Sequence, residues 1–227
     1  MLKHWNRLGS LNQITNSELG ANLTQSGIVY GAVKYAGGGG VLSWLSNAYI
    51  YLFDTMPNEC TIDFFYKPNF ASTTTAAEFP YIFSFYKNAP ITYYLLCDIR
   101  SGLKEWKLVW PNTTATGFIS TSLNFTTAWA ANDVLEIRYK YNSAGLASGN
   151  YQELYVNKTL QTFKSGNALT TPIYGGTLDG YMSIMNAYNN TRGGRGYADN
   201  IKIYDKELTT FETFKTESLS GQRRRHA

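Results

Sequence analysis

The sequence predicts an all-β protein that forms one domain. Aromatic residues make up 15% of the 227 residues and charged residues only 16%, a composition that favours strands over helices. Residues 134–141 predict an amphipathic strand that alternates from Leu135 onward, with Leu135, Ile137, Tyr139 and Tyr141 predicted to face a core and Glu136, Arg138 and Lys140 predicted to face water. A chain of this length is long enough to bury one sizeable core, and single all-β domains of this size are common.

Further strands follow from the same alternation and from short apolar segments between turn residues. They are predicted at 27–35, 48–53, 60–67, 81–86, 91–99, 105–110, 151–160, 181–185 and 198–204. Pro68 ends the 60–67 strand because proline cannot donate to a ladder, and Asn157-Lys158 is predicted to form a tight turn. Residues 1–26 are predicted to be an arm or edge strand, 27–210 the domain, and 211–227 a short C-terminal helix with a basic tail.

The segment 196–208 (Gly-Tyr-Ala-Asp-Asn-Ile-Lys-Ile-Tyr-Asp-Lys-Glu-Leu) predicts a closing strand. Its alternation places Asp199, Ile201 and Ile203 on one face, and Ala198, Asn200, Lys202 and Tyr204 on the other.

Three segments carry a resemblance to a known family. In chain order they are Cys-Thr-Ile-Asp-Phe-Phe-Tyr-Lys-Pro at 60–68, Tyr-Gln-Glu-Leu-Tyr-Val-Asn-Lys-Thr-Leu at 151–160, and the closing strand. They resemble, in the same order, strands of the laminin-G-like jelly rolls of the concanavalin A-like lectin/glucanase superfamily. The resemblance spans about residues 25–210. It implies an antiparallel two-sheet β-sandwich, a concanavalin A-like jelly roll.

Catalytic residues are not expected. Glucanases of the superfamily carry a Glu-x-Asp-x-x-Glu strand, and no Glu-x-Asp spacing occurs in this chain. Glu136 and Glu153 stand alone and are predicted to be solvated strand-face charges. The two histidines, His4 and His226, lie near the termini and do not suggest a general base. A divergent polysaccharide hydrolase or lyase is the third and weakest alternative.

No cofactor is predicted. Many relatives in the superfamily hold calcium at a loop rim, and Asp54, Asp98 and Asp179 lie near turns, so calcium remains a possible ligand. Isolated aspartates near turns are more often turn formers, and no metal site is assigned. Cys60 and Cys97 lack metal-ligand spacing and are expected to be buried thiols, with a bridge between them left open.

Glycan sites combine aromatic platforms with planar polar side chains. The 186–196 loop offers such a mixture in Tyr188, Asn189, Asn190, Arg192 and Arg195, although a solvated glycine-rich connection explains it more simply. Asp98 and Arg100 lie in a connection between two strands that is either a binding rim or an ordinary hairpin. Trp106 and Trp110 are a further candidate platform, but their shared strand face with Leu108 favours core packing.

The net charge of +4 owes three charges to Arg223, Arg224 and Arg225, so the rest of the chain is close to neutral. Nucleic acid is therefore an unlikely partner except through this tail, which is by default a disordered end and otherwise a protein-docking strap or a phosphate-binding anchor. No window of about 20 apolar residues predicts a membrane span, and the first residues lack the apolar stretch of a signal peptide. These features favour a non-catalytic recognition or attachment module, either a subunit of a phage or other virus particle (decoration, fibre or tail) or a free-standing cell-surface lectin. Glycans and neighbouring protein subunits are the expected partners.

Overall fold

A computed structural model of the chain describes residues 1–6, 8, 17–20, 24–26, 29–33, 38–43, 49–74, 80–86, 92–98, 104–176, 178–184 and 195–209. Sixteen strands form in these residues. They are β1 (Leu2–Asn6), β2 (Thr24–Ser26), β3 (Val29–Val33), β4 (Gly38–Ser43), β5 (Tyr49–Met56), β6 (Glu59–Pro68), β7 (Tyr81–Tyr86), β8 (Thr92–Asp98), β9 (Glu105–Pro111), β10 (Phe118–Asn124), β11 (Leu135–Asn142), β12 (Gln152–Val156), β13 (Thr159–Leu160), β14 (Phe163–Gly166), β15 (Leu178–Ile184) and β16 (Gly196–Tyr204).

The strands form two antiparallel sheets of eight. Sheet A has the order β13-β12-β11-β6-β16-β4-β3, and β1 pairs with β16 on its C-terminal half. Sheet B has the order β14-β10-β9-β8-β7-β15-β5-β2. The predicted all-β, two-sheet sandwich is confirmed. The expected C-terminal helix falls outside the described residues, and no helix in the described ranges is long and apolar enough to cross a membrane.

The core lies between the two sheets and is rich in aromatic side chains. The predicted inward residues of β11, from Leu135 to Tyr141, belong to it. Trp110 of sheet B packs on Tyr141 of sheet A with ring centroids 4.3 Å apart. Trp106 is fully buried and Trp110 nearly so, which confirms core packing for both and removes them as a ligand platform.

Cys60 lies in this core as a buried free thiol, so it forms no bridge. Burial raises the pKa of its thiol far above the ordinary range, outweighing its hydrogen bond with Tyr141. The side chain of Cys97 lies outside the described residues.

The prediction was wrong for two of the three outer positions of β11, since Glu136 alone is partly exposed. Arg138 and Lys140 do turn away from the core, but they are buried, with 2% and 5% of their surface exposed. Arg138 donates from Nε and Nη2 to the two carboxylate oxygens of Asp63, at 2.7 and 2.6 Å. Glu153, also predicted to be solvated, is 1% exposed. Neighbouring strands of sheet A supply partners for these charges, which is why they can leave water.

The prediction of which β16 residues share a face was also wrong, because it placed Asp199 on the same face as Ile201 and Ile203. Its register with β6 runs from Asp199 opposite Phe65 directly to Lys202 opposite Asp63, so β16 contains one extra residue. This is a β-bulge, with Asn200 at a φ of +53°. The core face of β16 is therefore formed by Ala198, Ile201 and Ile203, and Asp199 does not share a face with Ile201.

Candidate binding surfaces at one end and one face of the sandwich

The two segments predicted to bind a ligand leave the sheets at the same end of the sandwich. β8 ends at Asp98, opposite Glu105. β15 ends at Ile184, opposite Phe83, and β7 lies between these two strands. β16 then begins at Gly196, opposite Pro68 at the end of β6. The topology thus brings the flanks of the 98–104 and 185–195 segments to one rim.

Most of the predicted site residues lie outside the described part of the chain. These are Arg100, Tyr188, Asn189, Asn190, Arg192, and the tail arginines Arg223, Arg224 and Arg225. Arg195 is described: it is half-buried with a φ of +52°, and its carbonyl accepts a hydrogen bond from the Asn69 amide at 3.0 Å. Asp98 is described only as the last residue of β8. The binding role of all these residues stays a prediction.

An aromatic cluster supports this rim from below. Trp129 packs between Trp106 and Phe125, with ring centroids 5.4 and 4.7 Å away. Its Nε1 donates to the Phe70 carbonyl at 3.0 Å, and its backbone amide donates to Ser72 Oγ at 3.1 Å. The cluster therefore fixes the segments around residues 70 and 129 against the core and leaves Trp129 itself buried, so it is a support and not a platform.

A second polar cluster lies on the outer face of sheet A. Lys140 Nζ lies 2.8 Å from Glu153 Oε2 and 2.9 Å from Glu207 Oε1. Tyr155 donates its hydroxyl to Glu153 at 2.8 Å. Burial by itself raises the pKa of Glu153, but the hydrogen bonds and the charge of Lys140 lower it by more, so the net pKa is below its usual range. Such a carboxylate stays ionised and is unsuited to donate a proton as a general acid.

The outer face of sheet B carries a different surface, here called the β9–β10 face. It consists of the side chains of Glu105, Lys107, Val109, Phe118, Ser120 and Ser122, which alternate with the core residues of the two strands. Glu105 is 5% exposed. It accepts a hydrogen bond from Ser122 Oγ at 2.9 Å, and its other oxygen lies 3.4 Å from Lys164 Nζ.

Sequence reasoning found the alternation of β9 but did not single out this face. Phe118 follows a Thr- and Gly-containing loop and precedes a segment that reads Ile-Ser-Thr-Ser, which is a weak strand pattern. The sequence contained one indication of this face. Phe118 alternates with the apolar Ile119 and therefore shares a strand face with Ser120 and Ser122.

No group of three or more His, Cys, Asp or Glu side chains capable of holding a metal ion occurs among the described residues. The side chains of Asp54, Asp98 and Asp179 lie outside that description. Calcium binding by these three aspartates therefore stays untested.

No protein-family model matches the sequence, and no curated protein matches it either. Solved structures do match. Domain 4 of an extracellular GH43 arabinanase from Geobacillus stearothermophilus, in complex with arabinotriose, aligns with 92% of this chain and 94% of its own length, at a TM-score of 0.55 and 14% identity.

Two further structures extend this likeness. The botulinum neurotoxin serotype D binding domain aligns with 97% of the chain, at a TM-score of 0.61 and 13% identity. Full-length tailspike protein 2 from Escherichia coli O157:H7 bacteriophage CAB120 aligns with 82%, at 0.59 and 12%. The chain spans 51% of the neurotoxin domain and 26% of the tailspike. At these identities the likeness is one of fold, that of β-sandwich domains of the jelly-roll kind.

Proposed function

We propose that this chain is a non-catalytic, glycan-binding attachment module. The observation that carries the proposal is the fold likeness to an arabinanase domain that holds arabinotriose, over 92% of this chain and 94% of that one. Parts of a botulinum neurotoxin binding domain and of a phage tailspike protein share this fold, and they support a binding role further. Fold alone does not assign function, so the proposal also depends on the chemistry of the described surfaces.

The described carboxylates favour binding over glycoside hydrolysis. Hydrolysis of a glycosidic bond uses one carboxyl held protonated beside a second that is ionised. Glu153 is ionised and held by Lys140 and Tyr155, and Glu105 is engaged by Ser122 and Lys164. Both side chains are already used within the fold, which suits a structural role better than proton transfer.

The finer form of the proposal is a subunit of a virus or phage particle, at the virion surface. The tailspike likeness, over 82% of the chain, supports it. In this form the rim near Arg195 and Asp98 binds host or environmental glycans through Tyr188, Asn189, Asn190, Arg192 and Arg100. The tail residues Arg223, Arg224 and Arg225 would contact neighbouring subunits.

A glycan-array screen of the purified protein, with calcium and again with a chelator, tests the proposal. We expect selective binding that Tyr188→Ala and Arg192→Ala abolish. Lys206→Ala is the matched control, because Lys206 is exposed and follows the opposite end of β16. Binding lost only with the chelator would assign calcium a role. An array with no bound glycan would overturn the glycan-binding function.

The alternative to a virion subunit is a free-standing lectin that binds glycans at a cell surface. Sedimentation of the protein from its natural source separates the two. Co-sedimentation with particles supports the subunit, whereas a free monomer that still binds the array favours the lectin.

A further inference from the structure

We infer that two further loops, residues 69–74 and 129–133, form one wall of the binding site at the rim. This rim wall would hydrogen-bond the hydroxyl groups of a neutral glycan through Asn69, Asn132 and Asp133. The inference rests on the proposed glycan-binding function, and it assigns a role to three residues that the sequence did not indicate. All residues of the wall belong to the described part of the chain.

The end of β6 places the wall at the rim. The amide of Asn69 donates to the Arg195 carbonyl at 3.0 Å, and the amide of Asn132 donates to the Pro68 carbonyl at 2.7 Å. The turn that contains Asn132 therefore lies against the last residue of β6, and Asn69 lies beside the residue that precedes β16. The wall and the predicted loop site thus share one rim.

Hydrogen bonds between the two loops hold the wall in one arrangement. The amide of Ser72 donates to the Trp129 carbonyl at 3.0 Å, and the amide of Trp129 donates to Ser72 Oγ at 3.1 Å. Trp129 Nε1 donates to the Phe70 carbonyl at 3.0 Å, and the Ala130 amide donates to Asp133 Oδ2 at 2.7 Å. Because these segments are already ordered, a ligand that binds them loses less entropy.

The polar side-chain atoms of the wall are available to a ligand. Asn69 is half-buried, and Asn132 and Asp133 are exposed. Within the described ranges neither asparagine side chain forms a hydrogen bond, and Asp133 uses only Oδ2. Each asparagine therefore offers one oxygen and one NH₂ group, and Asp133 offers Oδ1.

The backbone at this place is strained on both sides of the strand end. Asn132 has a φ of +70° and Arg195 a φ of +52°. Asparagine tolerates the left-handed region, but arginine is uncommon there. Glycine, which stands on both sides of Arg195 in the sequence, would adopt this φ without strain. Non-glycine residues in such conformations gather at ligand sites, so an arginine kept at this position favours a use for the surrounding rim.

The chemistry of the wall favours a neutral glycan. A sugar hydroxyl both donates and accepts, so it can bond the amide NH₂ groups and also the oxygens of the asparagines and of Asp133. An anionic group only accepts, and it would face these oxygens unfavourably. Phe70 and Trp129 beneath the wall are buried, so the wall supplies hydrogen bonds and not a stacking platform. Arg195 is a cation beside the wall, and acidic glycans are therefore the second arm of the test.

An array of immobilised neutral and uronic-acid oligosaccharides, titrated with the purified protein, tests the inference. We expect neutral oligosaccharides to be bound more tightly than acidic ones. Asn69→Ala and Asn132→Gly should each weaken this binding about three- to tenfold, which corresponds to the loss of one hydrogen-bonding side chain. Asp133→Asn keeps an oxygen for the Ala130 amide but removes the charge, and it should weaken binding about tenfold.

Two matched variants lie at the opposite end of the sandwich. Ala115→Gly changes another residue of positive φ, +57°, in the hairpin between β9 and β10. Asn58→Ala removes another exposed asparagine side chain that forms no hydrogen bond within the described ranges, just before the start of β6. Both should bind as the wild type does. Thermal unfolding of all five variants at the wild-type temperature shows that each has folded.

The outcomes separate this inference from the proposed function. If the wild type binds neutral oligosaccharides and the three wall variants bind them equally well, the wall is not part of the site, while glycan binding stands. If acidic oligosaccharides are preferred, the neutral ligand class is wrong. If the two controls weaken binding as much as the wall variants do, the wall has no specific role. An array with no bound oligosaccharide overturns both the inference and the proposed function.

Discussion

Replacing Arg138 by methionine is predicted to lower the free energy of unfolding by about 3–5 kcal/mol. Arg138 and Asp63 each have only 2% of their side-chain surface exposed, and two guanidinium nitrogens lie 2.7 and 2.6 Å from the two carboxylate oxygens. The methionine retains the apolar stem but removes both charge-assisted hydrogen bonds. Lys202 stands opposite Asp63 in the register, but a single ammonium cannot reproduce the paired geometry.

Urea unfolding at neutral pH measures this loss of free energy. Thermal unfolding gives a second measure: in a domain of this size, 1 kcal/mol corresponds to about 2–4 °C in Tm, so Tm should fall by roughly 6–20 °C. Lys206→Met, at an exposed lysine, is the control and should change stability by less than about 0.5 kcal/mol. The double variant Asp63→Leu/Arg138→Met removes both charges of the pair and should recover part of the loss, because no unpaired Asp63 carboxylate is left; the recovery is incomplete because the buried Lys202 opposite Asp63 keeps its charge.

Two results would refute this reasoning. A loss below about 1 kcal/mol for Arg138→Met would mean that water or another cation replaces the guanidinium at little cost. A double variant as unstable as the single one would mean that packing or the charge left on Lys202, and not the unpaired Asp63 carboxylate, explains the effect.

Three further predictions concern other elements. Gly166→Ala should destabilise by at least about 1 kcal/mol more than Gly149→Ala in urea unfolding. The two glycines have similar φ values, +87° and +85°, but a Cβ at Gly166 would meet the Ser120 carbonyl and one at Gly149 would meet nothing within 4 Å. With Glu153→Gln, the free energy of unfolding should fall less steeply than in the wild type as the pH drops below about 4.3. The lowered pKa of Glu153 stabilises the fold at a pH above the pKa of the unfolded chain, and this stabilisation is lost as the pH falls through the pKa of the folded protein. Cys60 should react with a thiol reagent at pH 8 only after unfolding, since burial raises its pKa; rapid reaction of that thiol in the native protein would contradict this.

The sequence alone was sufficient for most of the long strands and for much of the core, but it did not predict β2, β4, β10 or β14. The inward positions of β11, the buried Trp106 and Trp110, and the turn at Asn157-Lys158 all follow from local patterns. In the structure both turn residues have positive φ values, 49° and 66°. These features depend on a period of two and on residues next to each other in the chain, so neighbouring letters contain the information.

The candidate sites were predicted less completely. The types of side chain in the 186–196 loop were enough to predict it as a candidate site. That the ends of this loop lie at the same rim as Asp98 follows only from the pairing of β7 with both β8 and β15. The β9–β10 face was not predicted because its residues belong to two different strands. Which residues of the two strands stand side by side, such as Lys107 and Ser122, depends on the register, which sequence spacing does not give.

What the sequence by itself determined was which side of each regular strand a residue takes. Only the tertiary structure decided whether an outward-facing residue is exposed to water. Arg138 and Asp63 are 75 residues apart in the chain, yet each compensates for the cost of removing the other's charge from water. The bulge at Asn200 is a second case, since its side chain accepts a hydrogen bond from Trp5 Nε1, 195 residues away, at 2.6 Å. Burial and bulges depend on partners that folding supplies from distant segments, so the local alternation of a strand cannot encode them.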